Sequence, residues 1–468
     1  MPFYLIALII FLIYFKTLNY HYVIDDYVRR EGYLWNVPKE GQNPTFYDTK
    51  PTKKYRLFMI GMHIVNTFLI YTLWGWQGAL LFAVHPMSVW GVAWVTGNYY
   101  ATTAYFTLIS YFFITQILNP FGLMAGAIFF LCALNSTADA MSFPFLFLMT
   151  GNWLGCITFL PLIYFMNGKR WVTGFGTRKE IVKGKQVDII SWDWRRPFFM
   201  TKVMARYIET FFFPRKFYFF GPWAERIRES KAEWDFYHAP NKEFWISLLI
   251  CFATFISGMM IHPTATLWFF VLMGIHSQFT VLGQPFAQRY LYLPQVGLCV
   301  VVGTLFINNP AIIYALAGFY VCRSFTVLPN WQHQEDLLLN ETTMHPERGS
   351  GHSAIAQYYI SRKKLIEYPP WKINEISSHM RRAAILQPEN WVISMNFCAY
   401  LVMIGKIDEA IAANERTIML MEKYATEREK PGIPGAVKQL EWLKNLRVEA
   451  KRQAKLAQKA NDRRKGKK

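Results

Sequence analysis

Residues 78–118 read GALLFAVHPMSVWGVAWVTGNYYATTAYFTLISYFFITQIL, a stretch that contains no Asp, Glu, Lys or Arg. Similar apolar runs recur from Phe3 to Leu328. Hydrophobic residues make up 53% of the 468-residue chain and charged residues 17%, whereas soluble domains carry about 25% charged residues. Because about 20 apolar residues cross a bilayer as a helix, the sequence predicts an all-α, polytopic membrane domain.

The N-terminal run is expected to be retained as a first span, because it lacks a basic n-region and a small-residue cleavage site. Several runs are shorter than the length that crosses a bilayer, so tilt and interruptions at Pro or Gly are expected. The candidate spans are 2–18, 57–74, 78–96, 99–118, 121–138, 141–166, 244–261, 264–282, 290–307 and 311–328.

Two topologies fit this pattern. The loop 167–197 carries eight Lys or Arg against three Asp or Glu, which favours the cytoplasm and makes 198–213 a further span. Alternatively, Gly151-Asn152 divides 141–166 into two short spans, and 198–213 is an amphipathic helix at the membrane surface. Both topologies give about eleven crossings from an inside N-terminus. Both place residues 25–26, the loop 284–289 and the C-terminus on the non-cytoplasmic side.

The composition becomes polar and helix-forming after Asn330, which predicts domains at 1–330 and 331–448. Within 385–420, an αα-hairpin is predicted that resembles one tetratricopeptide (TPR) unit, and one or two such units do not bury a full solenoid core. The Lys- and Arg-rich residues 449–468 are expected to be a disordered, solvated tail. The TPR-like spacing rests on Asn396, Tyr400, Leu401, Gly405 and Ala410.

The net charge of +19 is attributed to basic loops and the tail against anionic lipid, since no nucleic-acid motif accompanies it. The six cysteines form no CxxC pair and mostly lie in apolar runs. They are therefore expected to pack as small hydrophobic residues rather than to bind zinc or form disulfides.

Asp25 and Asp26 are adjacent carboxylates directly after the first span, a position with few structural uses. Other unusual motifs are MHIVN (62–66), LLFAVHPMSVWGVAWVTGN (80–98) and QPFAQRYLYLPQVG (284–297). Together with CRSFTVLPNWQHQEDLLLNETTMHP (322–346), they resemble the transmembrane and TPR O-mannosyltransferases and their prokaryotic relatives. That resemblance covers roughly residues 1–420 and implies the GT-C fold of polyprenyl-phosphate-sugar-dependent glycosyltransferases. A segment like Tyr207 to Pro214 is a surface helix in that family, which favours the second topology.

The resemblance implies roles for individual residues. Asp25 or Asp26 would be the catalytic base, and their mutual repulsion would raise the pKa of one carboxyl group. A cation would bind the donor phosphate, and a guanidinium suits this task because its donors form a fixed fork. The residues implied at the donor phosphate are Arg289, His63 and His85, and those implied at the substrate are Asn66, Trp94, Gln288 and Tyr290.

Each of these residues also has a structural interpretation. Asp25-Asp26 fits a helix N-cap, His85 a helix break before Pro86, and His63 a packed histidine. Arg289 fits a snorkelling side chain and Trp94 a membrane-interface anchor.

One departure from the family is clear. Family members have Ser-Lys-Glu ahead of Thr-x-Pro, whereas this chain reads NSTADAMSFP over residues 135–144. Thr137 replaces the lysine, and the acid is displaced to Asp139. Cofactors are open: GT-C relatives differ in metal use, and Asp25, Asp26 and Asp139 would hold a divalent cation if they converge.

The sequence therefore predicts an inverting glycosyltransferase of the endoplasmic reticulum or bacterial inner membrane. Its expected partners are a polyprenyl-phosphate-linked sugar, membrane lipids and a polypeptide acceptor presented by the TPR-like domain. The main alternative is a catalytically inactive GT-C relative that acts as a membrane scaffold. A transporter is disfavoured, because the spans contain almost no charge and no inverted repeat.

Overall fold

A computed structural model describes most of the chain. The described residues are 1–23, 50–117, 119–136, 138–151, 155–157, 159–163, 179–182, 185–188, 195–215, 217, 239–279, 286–362, 365–424 and 432–465. They divide into two compact units: 1–178 with 189–340, and 179–188 with 341–468. The division falls after Asn340, whereas the sequence predicts a domain boundary at residue 330.

All regular secondary structure in the described residues of the first unit is helical, which agrees with the predicted all-α class. One continuous apolar core runs through it from Ile6 to Leu337. Its α-helices are α1 (Phe3–Tyr14), α2 (Lys53–Trp74), α3 (Trp76–Val84), α4 (Val89–Val92), α5 (Asn98–Gln116), α6 (Pro120–Ser136), α7 (Phe143–Met149), α8 (Arg196–Phe212), α9 (Lys242–Ile261), α10 (Pro263–Gly274), α11 (Gln295–Leu305) and α12 (Pro310–Val327), and α13 (Gln334–Met344) crosses the division.

Three helices in the described part of the chain are long and apolar enough to cross a membrane: Lys53–Trp74, Lys242–Ile261 and Pro310–Trp331, the last including the 3₁₀ turn after α12. The other apolar helices are shorter. The predicted count of about eleven crossings therefore stays a prediction.

Two His-Pro pairs explain part of this shortness. Proline has no N–H and clashes with the preceding turn, and it forces the residue before it into an extended conformation. His85 accordingly has φ −62° and ψ 129° and ends α3 at Val84. His262 has φ −153° and ψ 89° and separates α9 from α10. The predicted span 78–96 is thus not one helix but α3, a 3₁₀ turn (Pro86–Ser88) and α4.

The predicted span 141–166 is also interrupted near Gly151, where the second topology divides it. Helix α7 ends at Met149, and Gly151 has φ +81°, a left-handed conformation that favours glycine. The chain is helical again at 155–157 and 159–163. Helix α8 buries one face through Phe199, Val203 and Phe211. The break at Gly151 agrees with a divided 141–166. The placement of 198–213 at the membrane surface stays a prediction, since Arg196 and Lys202 of α8 are buried along with its apolar side chains.

Among its described residues, the second unit contains a small β-hairpin and, after α13, five α-helices. Strand β1 (Lys179–Val182) pairs with β2 (Lys185–Asp188) in antiparallel register, Lys179 opposite Asp188. No strand was expected in the predicted loop 167–197. The helices are α14 (Gly349–Arg362), α15 (Pro370–Leu386), α16 (Trp391–Met403), α17 (Ile407–Tyr424) and α18 (Ile433–Lys465).

The predicted αα-hairpin is formed by α16 and α17. Gly405, at φ +76°, makes the turn between them, and Leu401 and Ala410 are buried at their contact. Tyr400 is buried as well, with its hydroxyl hydrogen-bonded to Ser377 of α15. Two ion pairs join α18 to α17: Lys444 Nζ lies 3.1 Å from Glu415, and Arg447 lies 3.4 Å from Asp408. Helix α18 continues to Lys465, where the sequence predicts a disordered tail from residue 449.

Candidate functional site

Arg289 lies in a ring of aromatic side chains at one end of the first unit. Its Nε donates a 3.1 Å hydrogen bond to the Tyr100 hydroxyl. Its guanidinium lies 5.2 Å from the centre of the Tyr290 ring and 5.9 Å from that of Trp94. Tyr99 in turn donates to Tyr100 over 2.9 Å. Cation–π attraction to these rings holds the guanidinium in place. A half-buried cation in this position can pair with an anion such as a phosphate, and the aromatic faces can pack on a sugar ring attached to it.

The charge of this site is secure. Burial by itself lowers the pKa of Arg289, but the hydroxyl groups of Tyr100, Tyr290 and Tyr99 outweigh burial and raise that pKa above its usual value. Arginine is ionised at any pH a protein tolerates. The guanidinium therefore presents a permanent positive charge.

Two close approaches position the ring. A Cβ atom on Gly97 would lie 1.9 Å from the Trp90 carbonyl oxygen, so the turn between α4 and α5 requires glycine and brings Trp94 near Tyr100. On the other side, the Tyr207 hydroxyl of α8 accepts from the Ala287 amide over 3.0 Å. It also lies 3.3 Å from the Ala287 carbonyl oxygen. Helix α8 thus fixes the backbone directly before Gln288 and Arg289.

Trp94 also connects this ring to the described residues that precede the predicted catalytic pair. The Trp94 ring lies 6.3 Å from that of Trp331. The next residue, Gln332, accepts a 3.0 Å hydrogen bond from the His21 amide, and the His21 and His333 rings lie 4.3 Å apart. Residue 21 is four positions before Asp25. Asp25 and Asp26 themselves lie outside the described residues, and the side chain of Asp139 is not described.

His63 and Asn66 belong to a separate, fully buried network. His63 Nε2 lies 3.1 Å from the Ala83 carbonyl oxygen, and Nδ1 lies 2.8 Å from the Tyr292 hydroxyl. Since a carbonyl only accepts, Nε2 carries the proton and Nδ1 accepts from Tyr292. Asn66 donates to Ala101 over 2.9 Å and to the Tyr292 oxygen over 3.4 Å. Both residues therefore stabilise the packing of α2 against α3, α5 and the segment that contains Arg289 and Tyr292, referred to below as the Arg289 loop.

His85 also uses both ring nitrogens within the protein. Nδ1 accepts from the Met87 amide over 3.2 Å, and Nε2 lies 3.0 Å from the Phe211 carbonyl oxygen. The ring stacks on Phe211 at 4.7 Å, and Tyr320 donates to the same carbonyl over 3.2 Å. His85 therefore caps the turn at Pro86 and anchors the end of α8.

Of the residues predicted for the site, the structure brings Arg289, Trp94 and Tyr290 together. Gln288 is adjacent and buried, at 1% exposure, and Tyr290 stacks on His276 with ring centres 4.3 Å apart. Among the described residues, no group of three or more His, Cys, Asp and Glu side chains could hold a metal ion.

Sequence reasoning missed Tyr100, Tyr292, Tyr207 and Arg56. Tyr292 was available as part of the RYLYLP block, and Tyr100 follows the Val-Thr-Gly-Asn end of the His-Pro block by two residues. Arg56 stands directly before the predicted span 57–74, close to Lys53 and Lys54. Only three-dimensional contacts distinguish it from the neighbouring lysines.

The chain matches no family model, and neither a curated protein nor a solved structure is similar to it.

Proposed function

We propose that this chain is an integral-membrane glycosyltransferase that moves a sugar, with mannose as the first candidate, from a polyprenyl phosphate to a hydroxyl group of a protein. The observation that carries this proposal is the half-buried Arg289, enclosed by Tyr100, Tyr290 and Trp94. A phosphate would pair with the guanidinium, and the aromatic faces would pack on the sugar. The motif resemblance to O-mannosyltransferases supports the same reaction.

In this reaction the acceptor oxygen attacks C1 of the sugar from the face opposite the phosphate. The new C–O bond forms as the bond from C1 to the phosphate oxygen breaks, so the configuration at C1 is inverted. The acceptor proton passes to Asp25 or Asp26, and the polyprenyl phosphate leaves as an anion paired with Arg289. His21, four residues before Asp25, is hydrogen-bonded to Gln332, and the neighbouring Trp331 lies against Trp94. These contacts support a place for the carboxylates near Trp94 and Arg289.

Exposed apolar faces support the membrane location. On α9, the side chains of Trp245, Leu249, Phe252 and Met260 are between 60% and 83% exposed. Such a continuous surface is unfavourable in water and suits lipid tails. A polyprenyl chain would bind along surfaces of this type.

The helical pairs of the second unit support a role in binding the acceptor polypeptide. Helix α14 packs against α15, and α16 packs against α17. Stacked helical pairs of this kind present extended surfaces to peptides in repeat proteins. We therefore propose that this unit is TPR-like and that it binds the acceptor polypeptide.

The decisive test measures transfer of mannose from dolichyl phosphate mannose to a Ser/Thr-rich peptide by the full chain in nanodiscs. Arg289→Gln should lower kcat about 100- to 1,000-fold, the range for loss of a donor that stabilises developing charge. Arg289→Lys should retain part of the activity, because it keeps the charge but not the fork. Arg206→Gln is the matched control, since Arg206 is an exposed arginine paired with Glu209 on α8. Wild-type rates in Arg289→Gln would reject the phosphate role.

The carboxylates are tested in the same assay. The double variant Asp25→Asn/Asp26→Asn keeps the size of both side chains and removes the base, so transfer should fall to background while dolichyl phosphate still binds. Undiminished transfer would exclude these residues from the mechanism.

A second candidate function is a catalytically inactive membrane scaffold. Two observations favour it: Thr137 stands where the family has lysine, and both ring nitrogens of His63 and His85 are engaged within the protein. Absence of transfer together with a stoichiometric co-purifying protein would favour this function. Measurable turnover would reject it.

A further inference from the structure

Arg56 is a buried guanidinium in the first turn of α2, at 1% exposure. Nη1 donates to the Ala93 carbonyl oxygen over 2.5 Å. Nη2 donates to the carbonyl oxygens of Tyr20 and His21 over 3.3 and 3.1 Å. One side chain therefore joins three parts of the chain: α2, the segment that follows the first helix, and the residue before Trp94.

The carbonyl groups that accept these hydrogen bonds, those of Tyr20, His21 and Ala93, lie outside the regular helices. Tyr20 and His21 follow the 3₁₀ turn that ends at Asn19; Tyr20 is extended, with φ −75° and ψ 145°, and His21 lies outside any helix. A buried carbonyl that loses its donor is unfavourable, because no water replaces the bond. A fixed fork of donors can satisfy several carbonyls at once, which a lysine cannot do with the same geometry.

Resting on the proposed glycosyltransferase function, we propose that Arg56 is a positioning residue. It holds the backbone of Tyr20 and His21 against Ala93, directly before Trp94, and so fixes the segment from which the chain continues to Asp25 and Asp26. Arg56 itself need not contact substrate. The His21 amide, bonded to Gln332 at 3.0 Å, continues this attachment on the other side of the segment.

The test measures hydrogen–deuterium exchange and kinetics on the full chain in nanodiscs. In Arg56→Met, which keeps an unbranched apolar stem and removes all donors, the His21 amide should exchange at least about 10-fold faster than in wild type, since its segment loses two carbonyl contacts. Amides in the middle of α2, around His63, should be unchanged. For transfer, kcat should fall roughly 10- to 100-fold with KM for the lipid donor unchanged, because misplacement affects the base rather than the phosphate site.

Arg323→Met is the matched control. Arg323 also donates to backbone carbonyls, at Pro214 and Arg215, but on a different segment. It should accelerate exchange near residue 215 and leave the His21 amide unchanged. If Arg56→Met does not fold, Arg56→Lys carries the test, and it should give an intermediate acceleration.

The outcomes separate this proposal from the proposed function. Unchanged exchange at His21 in both Arg56 variants overturns the positioning role, whatever the activity. Faster exchange along all of α2 also overturns it, because Arg56 would then serve general stability. Selective acceleration at His21 in Arg56→Met, combined with no sugar transfer by the wild-type protein, would support the positioning of the Tyr20–His21 backbone by Arg56 and reject the glycosyltransferase.

Discussion

The buried hydroxyl of Tyr292 links the Arg289 loop to α2 through His63 and Asn66. Because His63 Nε2 carries its proton toward Ala83, the Tyr292 hydroxyl is the donor to Nδ1. Tyr292→Phe would leave Nδ1 as a buried acceptor without its partner. We expect this change to lower the free energy of unfolding by about 1–3 kcal/mol, measured as a lower melting temperature in detergent.

The control for that substitution is Tyr314→Phe. Tyr314 is 45% exposed and stacks on Trp76, so loss of its hydroxyl should change the free energy of unfolding by less than about 0.5 kcal/mol. Equal destabilisation by the two variants would mean that the hydrogen bonds of Tyr292 to His63 and Asn66 do not stabilise the fold.

The network also shows which single residues a sequence can identify. Arg289, Trp94 and Tyr290 belong to unusual local motifs, and the structure brings these three side chains together. His63 and His85 belong to similar motifs but have protein partners at both nitrogens. A histidine that binds a ligand and one that supports the fold look alike in a sequence, because only its partners, here as far along the chain as Tyr292 and Phe211, distinguish them.

Helices α10 and α11 approach so closely that only glycine fits between them. A Cβ atom on Gly297 would lie 2.2 Å from the Ala265 carbonyl oxygen and 2.8 Å from the Phe269 nitrogen. Both atoms belong to the backbone, so they cannot move aside as a side-chain end can. Gly297→Ala should therefore lower the free energy of unfolding by about 1–3 kcal/mol through overpacking, measured by thermal unfolding in detergent.

Gly318 on α12 provides the comparison, because nothing lies within 4 Å of its would-be Cβ. Gly318→Ala should leave stability unchanged or raise it by up to about 1 kcal/mol through better helix propensity. Destabilisation by Gly318→Ala as large as that by Gly297→Ala would mean that the close approach at Gly297 does not determine the effect.

Helices α14 and α15 are joined by a pair of histidines. His352 Nδ1 lies 2.7 Å from His379 Nδ1. Burial is the largest cause that lowers the pKa of both side chains below the usual 6.5. At His352 the hydrogen bond to the Pro346 carbonyl opposes this and Arg382 adds to it, and at His379 the charges of His352 and Arg382 lower the pKa further. Lys372 also lowers the pKa of His379, and Glu375 opposes these effects.

Because the folded-state pKa values are depressed, the unfolded chain binds more protons at mildly acidic pH. The stability from this pair is complete above about pH 6.5 and is lost as the pH falls through the folded-state values. We expect amides of α14 and α15 to exchange faster at about pH 5.5, after correction for intrinsic exchange rates, than at about pH 7.5. His379→Gln should weaken this dependence, and a dependence of unchanged steepness would refute the role of the pair.

Helix boundaries were only partly predictable from the sequence. Gly405 and Pro388 locate the C-terminal hairpin, because a turn with positive φ and a proline each end a helix locally. The span 78–96 looked continuous by hydropathy, although His85-Pro86 divides it. Hydropathy averages over a window and does not register one proline, and the β-hairpin at 179–188 left no signal in a loop dominated by basic residues.

For the chain as a whole, the predicted order of crossings stays a prediction, and the first unit shows which of the predicted loops are in contact. Segments expected on the non-cytoplasmic side meet at one end, where Arg289 contacts Trp94 and His21 contacts Gln332. Segments expected on the cytoplasmic side also meet: Trp76 stacks on Tyr314, and a Cβ on Gly303 would lie 2.6 Å from the Gly78 nitrogen.

The two topologies differ at residue 151 and in the loop 167–197. If 141–166 is one span, the basic loop is cytoplasmic and 198–213 crosses. If Gly151 divides it, the basic loop is non-cytoplasmic and α8 lies at the surface. The left-handed turn at Gly151 and the attachment of α8 to His85 and Ala287 favour the second arrangement, although the positive charges favour the first.

Single-cysteine variants of a cysteine-free chain resolve this, with an impermeant maleimide added to sealed microsomes in which the cytoplasmic face points outward. Gly151→Cys should be labelled, and Gln186→Cys should be labelled only after the vesicles are opened. Asn309→Cys and Lys50→Cys serve as references for the cytoplasmic and non-cytoplasmic sides, because both topologies agree on them. Labelling of Gln186→Cys in sealed vesicles would make α8 a span and restore the positive-inside assignment. Protection of Asn309→Cys would contradict both, since an odd number of crossings then no longer precedes the second unit.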